Sequence, residues 1–232
     1  MERVLRIPFV PDEIRLIMTC NVGYADVLDR HGARTALLAS RIAATMNLEE
    51  SEMEILISAS YLHDIGKMFI PRSILDKPSR LTTEEFEQIK KHPETGRIAL
   101  AGFIAYERIA IIVGQHHERM DGRGYPHRRP GDKIDPLARI LSVADAFCAM
   151  TEERPYQGPL PAITAIGRIH SCAGSQFDLQ VVDAFIESDL NVPKYDDIII
   201  LRGETQIKNH VESVLVDLET TKEMLEPSIM VA

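Results

Sequence analysis

The sequence has few of the residues on which several protein classes depend. It contains no tryptophan, and aromatic residues make up only 6% of its 232 positions. Its three cysteines, Cys20, Cys148 and Cys172, form no CxxC pair, which argues against a zinc ribbon and favours a reducing compartment. No apolar run approaches the roughly 18 residues that span a membrane, and the N-terminal segment MERVLRIPFVPDE lacks a signal-peptide layout. We therefore expect a cytoplasmic protein with no membrane partner.

Positive charge is also scarce. The chain has 26 lysines and arginines against 35 acidic residues, a net charge of −9. This excess of negative charge argues against non-specific binding to a nucleic-acid polymer. An anionic substrate would have to be bound by metal ions or by a few well-placed basic residues. Hydrophobic residues make up 45% of the chain, which is enough for a sizeable core.

Helical periodicity dominates the chain up to about residue 188, which predicts an all-α fold. Two segments have the capping-box pattern that starts helices, Ser51 with Glu54 and Thr82 with Glu85. The dipeptide Asp135-Pro136 is a cap followed by proline at the first helical position. Helices are expected at residues 24–46, 51–63, 83–91, 94–117 (one broken helix or two short ones), 135–151, 161–172 and 178–188.

The tail from Asn191 has a different pattern. The segment YDDIIILRG predicts either a short strand or an irregular connector. Beyond it, apolar residues alternate at spacings of four and three, which predicts a helix. That helix either packs on its own domain or forms a homodimer seam. We divide the chain into a short N-terminal extension (1–20), a helical domain (21–190) and a C-terminal tail with a helix (191–232).

Five of the eight histidines lie on or at the ends of apolar helical faces: His31, His63, His92, His116 and His117. A single histidine in such a place is most often a core residue with one satisfied hydrogen bond. Five of them point to a shared partner, because each buried imidazole needs a hydrogen bond or loses its solvation. The sequence therefore predicts a metal cluster.

Two carboxylates extend this set of ligands. Asp64 follows His63, and Asp145 lies on the apolar stripe of its predicted helix. Mixed imidazole and carboxylate ligation suits Fe, Mn, Zn or Ni better than Mg or Ca. Seven ligands fit two metals bridged by Asp64, an arrangement used for in-line phosphoryl displacement. Lys67 follows at HDIGK, where Gly66 would let the chain turn and bring the ammonium group toward a phosphoryl oxygen.

These residues stand in segments that resemble the HD-GYP subgroup of the HD superfamily of metal-dependent phosphohydrolases. The matching segments are RHGARTALLASRIA, YLHDIGKMFIP, KHPETG, HHERMDGRGYP and ADAFCAMTEERPY, within about residues 24–188. HDIGK alone marks the superfamily, whereas HHExxDGxGYP after HPExG is specific to the subgroup. The resemblance implies an HD-type helical bundle that hydrolyses cyclic di-GMP to linear pGpG or onward to GMP, a bacterial signalling activity.

The resemblance also implies roles for single residues. Asp64 and Lys67 match catalytic positions, and Lys67, Tyr125 and Arg154 match positions that contact substrate. The metals would be two divalent ions, Fe or Mn first and Ni or Zn as alternatives, and a water that bridges them would attack phosphorus in line. The metal ligands implied are His31, His63, Asp64, His92, His116, His117 and Asp145.

Four positions depart from the family pattern. Val27 replaces a glutamate that holds a third metal in some members, so we favour two metals. Cys148 replaces a common aspartate and is either a small buried hydrophobe or a redox-sensitive or ligating thiol. Gln157 replaces a basic residue that would bind a phosphate of the substrate. His127 stands where aspartate is common, and we expect an exposed loop residue there.

Two other functions stay open at this point. The substrate could be another cyclic dinucleotide or a mononucleotide, which Gln157 allows. The chain could instead be a non-catalytic cyclic di-GMP sensor, or a scaffold that docks a diguanylate cyclase through its GYP loop. Because no receiver or sensor module precedes the domain, we expect either a stand-alone enzyme or regulation by a partner.

Overall fold

The computed structural model describes residues 4–7, 25–103, 106–152, 158–188, 190 and 199–202. In these ranges the chain forms nine α-helices, two short 3-10 turns and one pair of strands, so the predicted all-α class is confirmed. The helices are α1 (Ala25–Thr45), α2 (Glu50–Leu62), α3 (Arg72–Leu75), α4 (Thr83–Ile89), α5 (His92–Ala101), α6 (Glu107–Gln115), α7 (Pro136–Thr151), α8 (Ala162–Ser171) and α9 (Leu179–Glu187). The 3-10 turns are Ile65–Phe69 and Gly131–Lys133, and the strands are β1 (Val4–Ile7) and β2 (Ile199–Arg202).

Two of the three predicted helix starts are confirmed. The Thr82 side chain accepts from the Glu85 N–H, and the Glu85 carboxylate accepts from the Thr82 N–H at 2.7 Å, which completes a capping box at α4. Asp135 caps α7 by accepting the Leu137 N–H at 2.9 Å.

The capping box predicted at Ser51 and Glu54 is wrong. Helix α2 begins at Glu50, and its N-cap residue, Glu49, makes no side-chain cap. Ser51 therefore lies inside the first turn. Acidic residues in that turn, Glu50 and Glu52, favour this earlier start because they interact well with the positive end of the helix dipole.

The core lies where α1 packs against α2 and α7, with α6 and α9 closing its sides. The buried face of α1 alternates small residues such as Ala36 and Ala39 with Leu38 and Ile42, all completely buried. Burying each leucine or isoleucine contributes about 1.5–3 kcal/mol to the free energy of folding. This packing holds α1, α2 and α7 at the fixed distances that the polar cluster described below requires.

The two strands pair in parallel, with Val4 opposite Ile199 and Ile7 opposite Arg202. The segment YDDIIILRG therefore contains a strand, one of the two alternatives that its sequence allowed. The C-terminal helix predicted beyond it lies outside the described residues, and the division of the chain into three parts stays a prediction. Among the helices in the described ranges, none is long and apolar enough to cross a membrane.

The first 3-10 turn lies directly against the start of α5. A Cβ atom at Gly66 would overlap the carbonyl oxygen of His92. Glycine is needed here for the close approach of two backbone segments, and not for the turn that its sequence context predicts. This contact places Asp64 beside His92.

Candidate metal centre

The seven predicted ligands come together from five parts of the fold. His31 comes from α1, Asp145 from the middle of α7, and His92 from the first position of α5. His63 and Asp64 follow the end of α2, and His116 and His117 follow the end of α6. Their ligand atoms form three overlapping groups, each within 4.8 Å: His31, His63 and Asp64; His63, His116 and Asp145; His92, His116 and His117.

Three of the histidine rings are fixed by backbone carbonyl oxygens close to them in the chain. The Nδ1 atoms of His63, His92 and His116 lie 2.6–2.7 Å from the backbone carbonyl oxygens of the residues three positions earlier, Ser60, Ile89 and Val113. A carbonyl oxygen only accepts, so each Nδ1 carries a proton and donates it. In the neutral ring, Nε2 is then left with a lone pair that faces the cluster.

Several of the inward-facing atoms lack a hydrogen-bond partner that suits them. Among the described residues, the buried Nε2 of His63 and the buried Oδ1 of Asp64 accept no hydrogen bond. The Nε2 atoms of His92 and His116 lie 3.2 Å apart, so two lone pairs face each other. Cations bound between these atoms would satisfy all of them, and nitrogen with carboxylate oxygen is the donor set of a divalent transition metal. The residues present therefore fit the metals that the sequence predicts.

Asp64 lies at the centre of the cluster. Its Oδ2 is 2.5 Å from Lys67 Nζ and 3.5 Å from His63 Nε2, and its Oδ1 is 3.2 Å from His92 Nε2. Although burial alone would raise its pKa, the positive charge of Lys67 holds the pKa of Asp64 well below its usual range. The carboxylate is therefore ionised, and its two oxygens face different histidines.

Asp145 closes the other side of the cluster. Its Oδ1 lies 3.0 Å from His31 Nε2 and 3.6 Å from His63 Nε2, and its Oδ2 lies 4.0 Å from His117 Nδ1. Burial opposes its ionisation, but the hydrogen bond from His31 holds the pKa of Asp145 well below its usual range. The cluster thus contains two carboxylate anions among five imidazoles.

His31 has a partner that the sequence analysis missed. Its Nδ1 lies 3.0 Å from Oε2 of Glu152, at the end of α7. Burial alone would lower its pKa, but hydrogen bonds to Asp145 and Glu152 raise the pKa of His31 to about 9. One signal could have found Glu152, since it lies seven residues after Asp145 and therefore on the same face of the helix.

The two adjacent histidines differ in their surroundings. His116 is completely buried, whereas His117 is half-buried, and their ring centroids are 4.0 Å apart. Burial lowers the pKa of His117 to about 3 and holds the pKa of His116 well below its usual range. Both rings are therefore neutral near neutral pH, the state in which imidazole binds metal.

The loop after these histidines is folded back on them. The Tyr125 ring centroid lies 4.7 Å from that of His117, and the Tyr125 N–H donates to the His117 carbonyl oxygen. A Cβ atom at Gly124 would lie 2.5 Å from Glu118 Cα, so only glycine allows this approach. The buried carboxylate of Glu118 accepts from the N–H groups of His127 and Arg129 at 2.7 and 3.0 Å. Tyr125 is thus held over the cluster.

A cavity of about 680 Å³ opens beside this loop and reaches the cluster at His117 and Tyr125. Its volume is in the range of ligand pockets of roughly 300–1,000 Å³. The basic residues on its wall are Lys90, Lys91, Arg119, Arg123 and Arg128. Lys90 pairs with Glu87 and Arg119 with Asp121, but in the described part of the chain Lys91, Arg123 and Arg128 make no ion pair. This chain of net charge −9 therefore presents local positive charge next to the cluster.

The four departures from the family pattern have different outcomes. His127 is exposed, as predicted, and its Nε2 lies 3.2 Å from Glu94. Cys148 is completely buried in the core, where burial raises the pKa of its thiol to about 12, which favours the hydrophobic role over the ligating one. Gln157, the side chain of Val27 and the predicted substrate residue Arg154 lie outside what the structure describes.

The sequence matches the HD domain family over residues 23–181, and the chain belongs to that family. Within it, the chain belongs to the HD-GYP subgroup. It is 39% identical over 157 residues to the cyclic di-GMP phosphodiesterase response regulator RpfG of Xanthomonas campestris, a match that covers 66% of this chain and 41% of that protein. It is 30% identical over 198 residues to the 3'3'-cGAMP-specific phosphodiesterase 1 of Vibrio cholerae, covering 82% of this chain and 45% of that one.

Structural similarity agrees with this assignment. The HDG"Y"P protein Bd1817 from Bdellovibrio bacteriovorus matches with a TM-score of 0.57 at 21% identity, over 75% of this chain and 59% of that chain. At this identity the likeness shows the fold alone. The chain spans less than half the length of the curated relatives described above.

Proposed function

We propose that this chain is a metal-dependent phosphodiesterase that hydrolyses cyclic di-GMP to linear pGpG or onward to GMP. The observation that carries the proposal is the cluster of five histidines and two aspartates at the end of a basic cavity. A cyclic dinucleotide carries two phosphates, so one can lie at the cluster while the other lies against the basic wall. The names of the relatives support this substrate class.

The seven residues divide into two sets that share Asp64. One ion would be held by His31, His63, Asp64 and Asp145, and the other by Asp64 and the histidines at positions 92, 116 and 117. The donor set favours Fe or Mn, with Ni or Zn as alternatives. When bound, the two ions supply an activated water and neutralise charge at the phosphorus.

The remaining steps depend on the chain's own side chains. Lys67 Nζ lies at the edge of the cluster on Asp64, where it can donate to a phosphoryl oxygen as charge grows there. Tyr125 lies over His117 at the mouth of the cavity and can stack on a guanine base. Lys91, Arg123 and Arg128 attract the second phosphate. We propose Arg154 as a further phosphate contact, as its match to the family motif implies.

Hydrolysis of 3'3'-cGAMP is a second candidate. It is favoured by the relatives in Vibrio cholerae that are named for this substrate, one of which matches 82% of this chain. Gln157 in place of a basic residue also allows a different base or phosphate contact. A role as a non-catalytic sensor, or as a scaffold for a diguanylate cyclase, is the alternative outside the enzymes.

The test is anaerobic turnover of the purified chain loaded with Fe²⁺ or Mn²⁺. The protein is incubated separately with cyclic di-GMP, with 3'3'-cGAMP and with each nucleotide of a mononucleotide panel. The products are then separated by chromatography. We expect pGpG from cyclic di-GMP with the wild type and with the surface control Glu54→Gln, and none with Asp64→Asn. Turnover of 3'3'-cGAMP alone would establish the second candidate. Two bound metals with nucleotide binding but no turnover would establish the sensor instead.

A further inference from the structure

His31 is held differently from the other buried histidines of the cluster. His63, His92 and His116 each donate Nδ1–H to the backbone carbonyl oxygen of the residue three positions earlier in the chain. His31 instead has Nδ1 3.0 Å from the carboxylate of Glu152, 121 residues away in the chain. We propose that Glu152 is a positioning residue that orients His31 and strengthens it as a metal ligand. This inference rests on the metal site of the proposed function.

Two carboxylates contact the His31 ring at its two opposite nitrogen atoms. Asp145 lies 3.0 Å from Nε2 and Glu152 lies 3.0 Å from Nδ1. Both belong to α7 or its C-cap and are separated by two helical turns, so the helix itself sets the distance between them. A carboxylate on Nδ1 fixes the plane of the ring and makes Nε2 a stronger donor of electrons to a metal.

Arg34 keeps the Glu152 carboxylate in this position. It lies one turn after His31 on α1 and is buried. Its Nη1 is 3.5 Å from Oε1 of Glu152, and its Nη2 is 3.5 Å from the Thr151 hydroxyl. One carboxylate oxygen thus faces the guanidinium and the other faces the imidazole. The contact also ties α1 to the end of α7.

The same geometry argues against Glu152 as a ligand itself. Its carboxylate lies on the Nδ1 edge of His31, whereas the other ligands lie on the Nε2 edge. Among the described residues, none of the three groups of candidate ligands includes it. Glu152 therefore acts on the metal through His31.

The test measures metal affinity, and it needs no substrate. Mn²⁺ binding is measured by competition with a chelator in the wild type, Glu152→Ala, Glu152→Gln and the surface control Glu54→Gln. We expect Glu152→Ala to lower the affinity for one of the two bound ions about 10- to 100-fold. Glu152→Gln should lose less, because its amide oxygen still accepts the Nδ1–H bond. The control should match the wild type.

A second measurement separates positioning from a general structural role. In the Zn²⁺-loaded protein, the Nδ1–H proton of His31 should give a downfield NMR signal that moves upfield in Glu152→Gln and disappears in Glu152→Ala. If Glu152→Ala fails to fold, Glu152→Gln and Arg34→Met replace it in the test. Both variants should show a smaller upfield shift of the His31 signal and a smaller loss of Mn²⁺ affinity.

Two results would overturn the inference. One is an Mn²⁺ affinity in Glu152→Ala within twofold of the wild type. The other is the loss of one whole ion at saturating metal in both Glu152 variants, which would make Glu152 a ligand. Absence of hydrolysis by the wild type would refute the proposed function but leave the comparison of affinities intact.

Discussion

Replacing Glu118 by glutamine tests how the loop that carries Tyr125 is held. The Glu118 side chain is only 3% exposed and accepts two backbone hydrogen bonds, from His127 at 2.7 Å and from Arg129 at 3.0 Å. Glutamine has the same shape but only one acceptor oxygen, so its NH₂ group would face one of these two donors. One backbone N–H then loses its acceptor and faces the amide NH₂ group instead.

The size of the effect follows from these two bonds. A hydrogen bond to a charged group contributes about 1.5–3 kcal/mol. We expect Glu118→Gln to lower the free energy of unfolding by about this amount, since one of the two bonds is lost. For a chain of this size, that corresponds to a fall in Tm of roughly 3–12 °C.

The assay is urea unfolding of the metal-free protein, which keeps metal binding out of the comparison. Glu107→Gln is the matched control, because Glu107 is exposed at the start of α6 and its loss should change the free energy by less than about 0.5 kcal/mol. Hydrogen exchange at the amides of His127 and Arg129 should also become faster in Glu118→Gln. A change within the range of the control, with unchanged exchange at both amides, would refute the reasoning.

Four further predictions follow from the cluster. Lys67→Met should lower hydrolysis of cyclic di-GMP by about 100- to 1,000-fold with the metal content unchanged; a fall in metal content would assign Lys67 to holding Asp64 instead. Cys148→Ala should destabilise the protein by roughly 1 kcal/mol and bind as much metal as the wild type, whereas a loss of metal would identify a ligating thiol. Since the pKa of His31 is raised to about 9, this ring is protonated near neutral pH in the metal-free protein and must lose its proton to bind metal. Calorimetry in buffers of different ionisation enthalpy should therefore show proton release that declines as the pH rises through 9, and its absence near neutral pH would contradict this. His117 has a pKa lowered from 6.5 to about 3, so the unfolded chain binds a proton that the folded chain does not. The free energy of unfolding of the metal-free protein should therefore fall as the pH falls from about 6.5 toward 3, and a flat urea midpoint over that interval would show that His117 is solvated.

Sequence alone predicts the parts of the fold that depend on neighbouring residues. Asp135 and Thr82 act as helix caps because their partners lie two or three residues further on, and both predictions are confirmed. The Ser51 prediction is wrong although the local pattern is the same. There, the acidic residues before and after Ser51 favour an earlier start of the helix. A capping pattern shows that a helix can begin at a residue, but it does not show whether a neighbouring start is more stable.

The candidate site divides in the same way. The histidines were recognisable because each lies on an apolar face, and the structure brings them together with Asp64 and Asp145. Glu152 was not recognised, because its role depends on His31, which lies 121 residues away and meets it only when α1 packs on α7. The cavity wall was also missed, since Lys90 and Lys91 on one side and Arg123 and Arg128 on the other belong to separate segments.

The way the histidines are supported divides the cluster into two unequal halves. His92 and His116 are oriented by carbonyl oxygens three residues away in their own segments, so no side-chain substitution removes that support. His31 is oriented by a carboxylate from another helix, and a single substitution at Glu152 removes it. Substitution of Glu152 should therefore change the affinity for the ion bound by His31. It should not change the affinity for the ion bound by His92 and His116. Metal content can be measured over a range of free Mn²⁺ concentrations. When Glu152 is replaced, one of the two binding steps should move to higher free Mn²⁺, and the other should stay where it is in the wild type.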